Sequence, residues 1–172
     1  MQVETHLLTD DGLIPNNAEL PLIVYRNVLD VSGSDPESAI LARFHANGWG
    51  NSWVNGIFPF HHYHSTAHEV LGMARGRAQV RFGGPGGILL PVRAGDAVLI
   101  PAGVGHCRVE AADLSVVGAY PQGQDWDLLR ANASDRAWAL QNLAHVPLPE
   151  SDPLFADQGP VHHYWRKTGD IS

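Results

Sequence analysis

The sequence predicts an all-β fold built as a barrel or a sandwich. From Ile57 onward, short apolar or alternating runs are separated by turn residues roughly every eight to twelve positions, which is typical of both architectures. Nine of the 18 glycines fall between Gly72 and Gly105, so the turns are concentrated in the same stretch. A length of 172 residues, of which 44% are hydrophobic, is enough for one domain with an ordinary core.

Two elements are predicted before the β region. The apolar run Leu22–Tyr25 predicts a short strand. The segment Ser34–Glu37 supplies an N-cap and a first-turn proline for a helix, whose apolar stripe runs from Ile40 to Phe44. We expect Asn47–Gly48 to end that helix, because glycine is favoured just after a helix C-terminus.

The β region contains a regular alternation at Arg77–Phe82. One face of this run is apolar and points inward, whereas Arg77 and Arg81 are expected on a solvated face. The glycine-rich segment 83–87 can only form a turn. Gly76 is expected in the tight turn of a hairpin. Further strands are predicted at Ile88–Leu90, Ala97–Ile100, Cys107–Val109 and Leu114–Val117.

The C-terminal part has a different character. Asp125–Ala144 is compatible with a helix, and the proline-punctuated segment 147–160 is expected to lie over the surface. We therefore predict a single domain whose barrel core spans about 53–121, flanked by extensions at 1–52 and 122–172.

Charge and cysteine content exclude several classes of function. The chain has 11 Lys and Arg against 18 Asp and Glu, a net charge of −7, and it contains no basic run. Neither nucleic acid nor a membrane is therefore expected as a partner. Cys107 is the only cysteine, which rules out an intramolecular disulfide and a thiolate zinc cluster. The first residues lack the features of a signal peptide, so a cytoplasmic location is expected.

Four histidines and a glutamate are concentrated in residues 61–69. Because alternate residues of a strand share a face, His62 and His64 are expected to project together as half of a metal site. Glu69 is a better candidate than His68 for completing it, since an inward carboxylate is costly unless it is paired or bound to a metal. His61 and His68 are expected either behind the metal ligands or at the rim, with hydrogen bonds directed outward, and the pair His162–His163 is expected in solvent.

Nine positions match two motifs by which the sequence resembles the cupins. The runs 61–72 and 146–153 resemble, more narrowly, the small bacterial single-domain cupins of the YjlB type. The first motif is matched by Gly56, His62, His64, Glu69 and Gly76. The second is matched by Gly95, Pro101, Gly103 and His106. Glu110 stands where the second motif has asparagine, a position that is usually not a metal ligand.

The resemblance implies a cupin-type double-stranded β-helix, a jelly-roll barrel, with a short N-terminal helix and a helical or irregular C-terminal extension. It also implies that one divalent metal ion is bound by His62, His64, Glu69 and His106. Three imidazoles and a carboxylate suit iron, manganese, nickel, zinc or copper(II), and the sequence does not choose among them.

Three functions follow from such a site. The first is a metal-dependent dioxygenase acting on a small organic molecule, and the second is a metal-dependent isomerase or lyase. The third is a non-catalytic cupin that binds a metabolite. No catalytic side chain is assigned, and Trp53, Phe60 and Tyr120 are the candidates for the substrate pocket.

Composition and strand edges give two further expectations. The acidic balance disfavours strongly anionic substrates. Arg75, Arg77 and Arg81 could offset it locally, but they are expected to form a solvated strand face. Exposed strand edges, including Leu22–Tyr25, make a homodimer a possible assembly.

Overall fold

The computed structural model describes residues 1–166, so the last six residues of the predicted C-terminal extension lie outside the described residues. The strands are β1 (Gln2–Leu8), β2 (Asn17–Arg26), β3 (Trp49–Asn55), β4 (His62–Tyr63), β5 (Glu69–Phe82), β6 (Ile88–Arg93), β7 (Ala97–Ile100), β8 (His106–Pro121) and β9 (Leu129–Arg130). The helices are α1 (Pro36–Ala46), α2 (Ala133–Leu143) and α3 (Pro160–Tyr164).

The strands form one antiparallel sheet in the order β1-β2-β7-β5-β8-β4-β9, with β3 beside β8 and β6 beside β5. Strands β5 and β8, of 14 and 16 residues, pair along most of their lengths and bend at irregularities in their register. The predicted all-β jelly roll of cupin type is confirmed. The sheet also extends beyond residues 53–121, because β2 pairs with β7.

Both faces of the central strands are buried, which explains why Leu22–Tyr25 and Ala97–Ile100 are almost wholly apolar. Leu22, Val24, Leu71 and Val98 belong to the interior cluster of the barrel. Their neighbours in sequence belong to a second cluster, in which the other face of the sheet packs against α1 and the C-terminal segment: Ile23, Tyr25, Val70 and Leu99. Strand alternation thus decides which side chains can reach the barrel interior.

The N-terminal helix forms as predicted. Asp35 is its N-cap and accepts a hydrogen bond from the Ser38 amide at 3.1 Å, and Pro36 is its first residue. Ile40 and Phe44 are buried against the sheet.

The prediction of one helix over Asp125–Ala144 is wrong in its first half. The helix begins at Ala133, because the Asn132 side chain caps it by accepting from the Asp135 amide at 2.8 Å. Before this cap, Leu129–Arg130 forms β9 and pairs with β4. The residues just before α2 therefore lie beside β4, the strand that contains His62.

Gly76 does not lie in a hairpin turn, contrary to prediction. It lies within β5, between Arg75 and Arg77, where the register against β8 shifts. Its φ is +70°, and a Cβ at this position would stand 2.2 Å from the Ala112 carbonyl oxygen. Glycine is required here for a bulge that bends the long strand.

The C-terminal segment is fastened to the barrel by buried polar contacts. Tyr25 donates a hydrogen bond of 2.7 Å to Asp152, whose side chain is fully buried. The Trp165 indole donates to the Pro21 carbonyl at 2.8 Å. None of the helices in residues 1–166 is long and apolar enough to cross a membrane.

Candidate metal centre

Strand pairing brings the predicted histidines together at one end of the barrel interior. His62 in β4 is directly opposite His106 in β8, and their ring centroids are 4.0 Å apart. His64 follows β4 immediately. One ring nitrogen from each of the three lies within 4.8 Å of those of the other two, and all three residues are buried. The three histidines could hold a metal ion.

Backbone carbonyls determine which nitrogen of each imidazole faces this common point. Nδ1 of His62 lies 2.9 Å from the Phe60 carbonyl, and Nδ1 of His106 lies 3.2 Å from that of Val104. Nδ1 of His64 contacts the carbonyl of Asp127. Because a carbonyl only accepts hydrogen bonds, each Nδ1 carries the proton in these contacts, and Nε2 keeps its lone pair for a ligand.

Glu69, the first residue of β5, points at the same histidines. Its Oε2 lies 3.1 Å from His64 Nε2, and its Oε1 lies 3.3 Å from His106 Nε2. Oε1 is buried and accepts no hydrogen bond from the described residues. A buried carboxylate oxygen without a donor is costly, so this atom indicates a place for a cation.

Tyr120 and Trp53 hold the other carboxylate oxygen. The Tyr120 hydroxyl donates to Glu69 Oε2 at 2.5 Å and accepts from the Trp53 indole N–H at 2.9 Å. The carboxylate is therefore oriented from β8 and β3 before any ligand binds.

Burial and mutual charge determine the protonation of this cluster. Burial, helped by the nearby His106, lowers the pKa of His62 to about 2, so His62 is neutral. Burial opposes charge on both His64 and Glu69, yet the attraction between them wins: it raises the pKa of His64 and holds that of Glu69 well below its usual range. The cluster therefore favours a cation beside an ionised Glu69, and its donor set fits a divalent metal ion.

The cluster lies at the wall of a cavity of about 340 Å³. Trp53 and Tyr120, two of the predicted pocket residues, line this cavity together with Phe58, Leu71 and Trp126. Phe60 is not among the lining residues. Its ring instead stacks on Phe58, contacts the edge of His62 and lies beneath the Arg130 guanidinium.

Sequence reasoning missed three residues of the site. Trp126 and Asp127 precede β9, in the segment that was assigned to a helix, so no inward face could be read from them. Arg108 also lines the cavity. Strand alternation could have revealed it, because residues 106 and 108 share a face of β8.

The remaining histidines do not line the cavity. His68 is buried rather than at a rim: its Nδ1 accepts from the Ala102 amide at 2.9 Å, and its ring packs against Trp165. His61 is half-buried, and burial lowers its pKa. His162 and His163 are exposed, as predicted.

The chain is similar to the uncharacterized protein YjlB of Bacillus subtilis strain 168, with 40% identity over 167 residues that cover 96% of this chain and 98% of YjlB. No family model matches the chain.

Among solved structures, acireductone dioxygenase from Bacillus anthracis, with cadmium in its active centre, matches with a TM-score of 0.40 and 17% identity over 58% of this chain and 76% of that one. A cupin 2 domain-containing protein from Halorhodospira halophila matches with a TM-score of 0.35 and 15% identity over 98% of this chain and 84% of that one. The identity with YjlB extends over nearly the whole of both chains, and the residues of both cupin motifs lie in a jelly-roll fold. The chain therefore belongs to the YjlB family of cupins.

Proposed function

We propose that the chain is a mononuclear metal-dependent dioxygenase that acts on a small organic molecule bound in the cavity. The observation that carries this proposal is the convergence of one ring nitrogen from each of three buried histidines, beside a Glu69 oxygen that accepts no hydrogen bond from the described residues, at the wall of a mainly apolar cavity. His62, His64, Glu69 and His106 would hold the ion. A redox-active ion such as iron would supply activation of dioxygen, and any of the candidate ions would polarise an oxygen of the substrate.

The other residues prepare the site for this chemistry. The Phe60, Asp127 and Val104 carbonyls fix the imidazole tautomers, and the Tyr120 hydroxyl orients Glu69. Trp53 and Trp126 line the cavity, so a bound substrate would lie against their indoles with less of its surface in water, which would strengthen electrostatic interactions there.

Metal content and dioxygen consumption test the proposal. The protein is purified without chelators or a histidine tag, and its metals are measured by elemental analysis. We expect close to one divalent transition metal per chain, and the iron-loaded protein should consume dioxygen with at least one member of a panel of diols, diketones and phenols. Iron-loaded protein that consumes no dioxygen across the panel would contradict dioxygenase activity.

An isomerase or lyase is the alternative, and one contact favours it. The buried Tyr120 hydroxyl, 2.5 Å from Glu69 at the cavity wall, could hold or move a proton of a carbonyl or sugar-like substrate. Turnover of such a substrate without dioxygen, by protein loaded with zinc or manganese, would establish this alternative. Binding without any turnover would instead indicate a cupin that only binds a metabolite.

We also propose that the protein is cytoplasmic and forms a homodimer, as expected from the sequence. A small organic molecule is the partner that the cavity suits.

A further inference from the structure

Arg108 places a positive charge beside the candidate metal centre. In β8, His106 pairs with Phe82 and Arg108 with Val80, and both of these partners pack in the barrel interior. His106 and Arg108 therefore point to the same side of the strand, and both line the cavity. Arg108 is half-buried, so its guanidinium is partly removed from bulk water.

No group in residues 1–166 forms a hydrogen bond or an ion pair with this guanidinium. Arg26 pairs with Glu4 and Asp96, and Arg75 pairs with Glu37. Arg77 and Arg93 likewise have no ion pair among the described residues, but unlike Arg108 they are exposed. A half-buried guanidinium with five unused donors is suited to bidentate hydrogen bonding with a planar anionic group such as a carboxylate.

The cavity offers Arg108 no carboxylate of its own. Glu69 is the one acidic residue among the described lining residues, and its oxygens are directed at Tyr120, His64 and His106. Much of the remaining lining is apolar, including Phe58, Leu71 and Trp53, and Asn55 adds one uncharged polar side chain. The cavity thus combines one unpaired cation with a surface that favours an apolar body.

We infer that Arg108 binds a carboxylate of the substrate, so that the cavity accepts small carboxylic acids with an apolar or aromatic body. This inference rests on the proposed function in assuming that the cavity is a substrate site. It revises the expectation that the net charge of −7 disfavours anionic substrates, because one positive side chain without a partner among the described residues lines the cavity.

Phenylacetate and phenylacetamide are matched probes, since they share the aromatic body and differ in charge. Their dissociation constants are measured by titration calorimetry with wild type, Arg108→Gln and Arg130→Gln, each in a metal-free and a zinc-loaded form. Arg130 is the control, because it is exposed and its guanidinium lies over Phe60, outside the cavity lining.

We expect wild type and Arg130→Gln to bind phenylacetate about ten times more tightly than phenylacetamide, and Arg108→Gln to lose this preference with its affinity for phenylacetamide unchanged. Zinc binding should be the same in all three proteins. The inference is overturned if wild type shows no preference for the carboxylate, if Arg108→Gln keeps it, or if that variant weakens both probes equally. Failure of wild type to bind metal would overturn the proposed function alone, because the metal-free titrations still decide the role of Arg108.

Discussion

The Trp53 indole occupies the space directly above Gly118, its partner across β3 and β8. A Cβ at residue 118 would stand 2.2 Å from Trp53 Cε2. No side chain fits there unless the indole moves, and the indole is the group that bonds the Tyr120 hydroxyl. The absence of a side chain at residue 118 therefore leaves room for Trp53, which bonds Tyr120, which in turn orients Glu69.

Replacing Gly118 with alanine should displace Trp53. We expect Gly118→Ala to lower the free energy of unfolding by about 1–3 kcal/mol, as overpacking does, and to weaken metal binding. Urea denaturation and titration with zinc measure the two effects. Gly86→Ala is the control, because a Cβ at residue 86 meets nothing within 4 Å. Equal stability and zinc affinity of the two variants would show that Trp53 adapts without cost.

Removing the Tyr120 hydroxyl should weaken the metal site without removing a proposed ligand. Tyr120→Phe takes away the 2.5 Å hydrogen bond to Glu69 but keeps the ring that stacks on Trp126. Groups that orient a ligand typically contribute tenfold or more, so we expect about a tenfold loss of zinc affinity. Tyr63→Phe is the matched control, since Tyr63 is buried outside the cavity lining and its hydroxyl has no partner among the described residues. If both variants bind zinc equally, Tyr120 does not orient Glu69.

The imidazoles of His62, His64 and His106 should each be needed for metal retention. Changing any one to alanine removes one of three converging ring nitrogens, and we expect most of the bound metal to be lost from the purified protein. His61→Ala provides the comparison, because His61 precedes His62 in sequence but does not line the cavity. Elemental analysis that finds wild-type metal content in the three variants would show that the site is misassigned.

Much of the site follows from strand alternation in the sequence. Alternation and the cost of an inward carboxylate together predict that Glu69, not His68, faces the barrel interior, as the structure has it. His106 needed the cupin motif in addition, because its pairing with His62 joins residues 44 positions apart, and local patterns carry no information about such distances.

The parts that could not be predicted depend on contacts distant in sequence. Trp126 and Asp127 reach the site because β9 pairs with β4, and their own segment has no regular period that would indicate an inward face. Gly76 was expected in a turn, since glycine marks turns and bulges alike in a sequence. Only the pairing of β5 with β8 distinguishes the bulge from a turn.

A carboxylate far from the site should contribute to stability in a pH-dependent way. Glu37 in α1 accepts hydrogen bonds from Arg75 Nε at 2.7 Å and from the Ser115 hydroxyl at 2.8 Å, which joins the helix to β5 and β8. The Arg75 guanidinium, with help from Ser115, lowers the pKa of Glu37 from 4.5 to about 2. Because ionised Glu37 is favoured in the folded state, its contribution is complete above pH 4.5 and is lost as the pH falls toward 2.

Glu37→Gln should therefore be less stable than wild type at pH 7, and this difference should shrink between pH 4.5 and pH 2. The effect at pH 7 should be small, since the Arg75 side chain is half exposed and the ion pair is screened by water and salt. Urea denaturation across this pH range, at low and high salt, measures it. Glu19→Gln, which changes an exposed glutamate of β2, should follow wild type at every pH. A Glu37→Gln difference that stays constant from pH 7 to pH 2 would mean that Glu37 stabilises the junction by hydrogen bonding alone, without its charge.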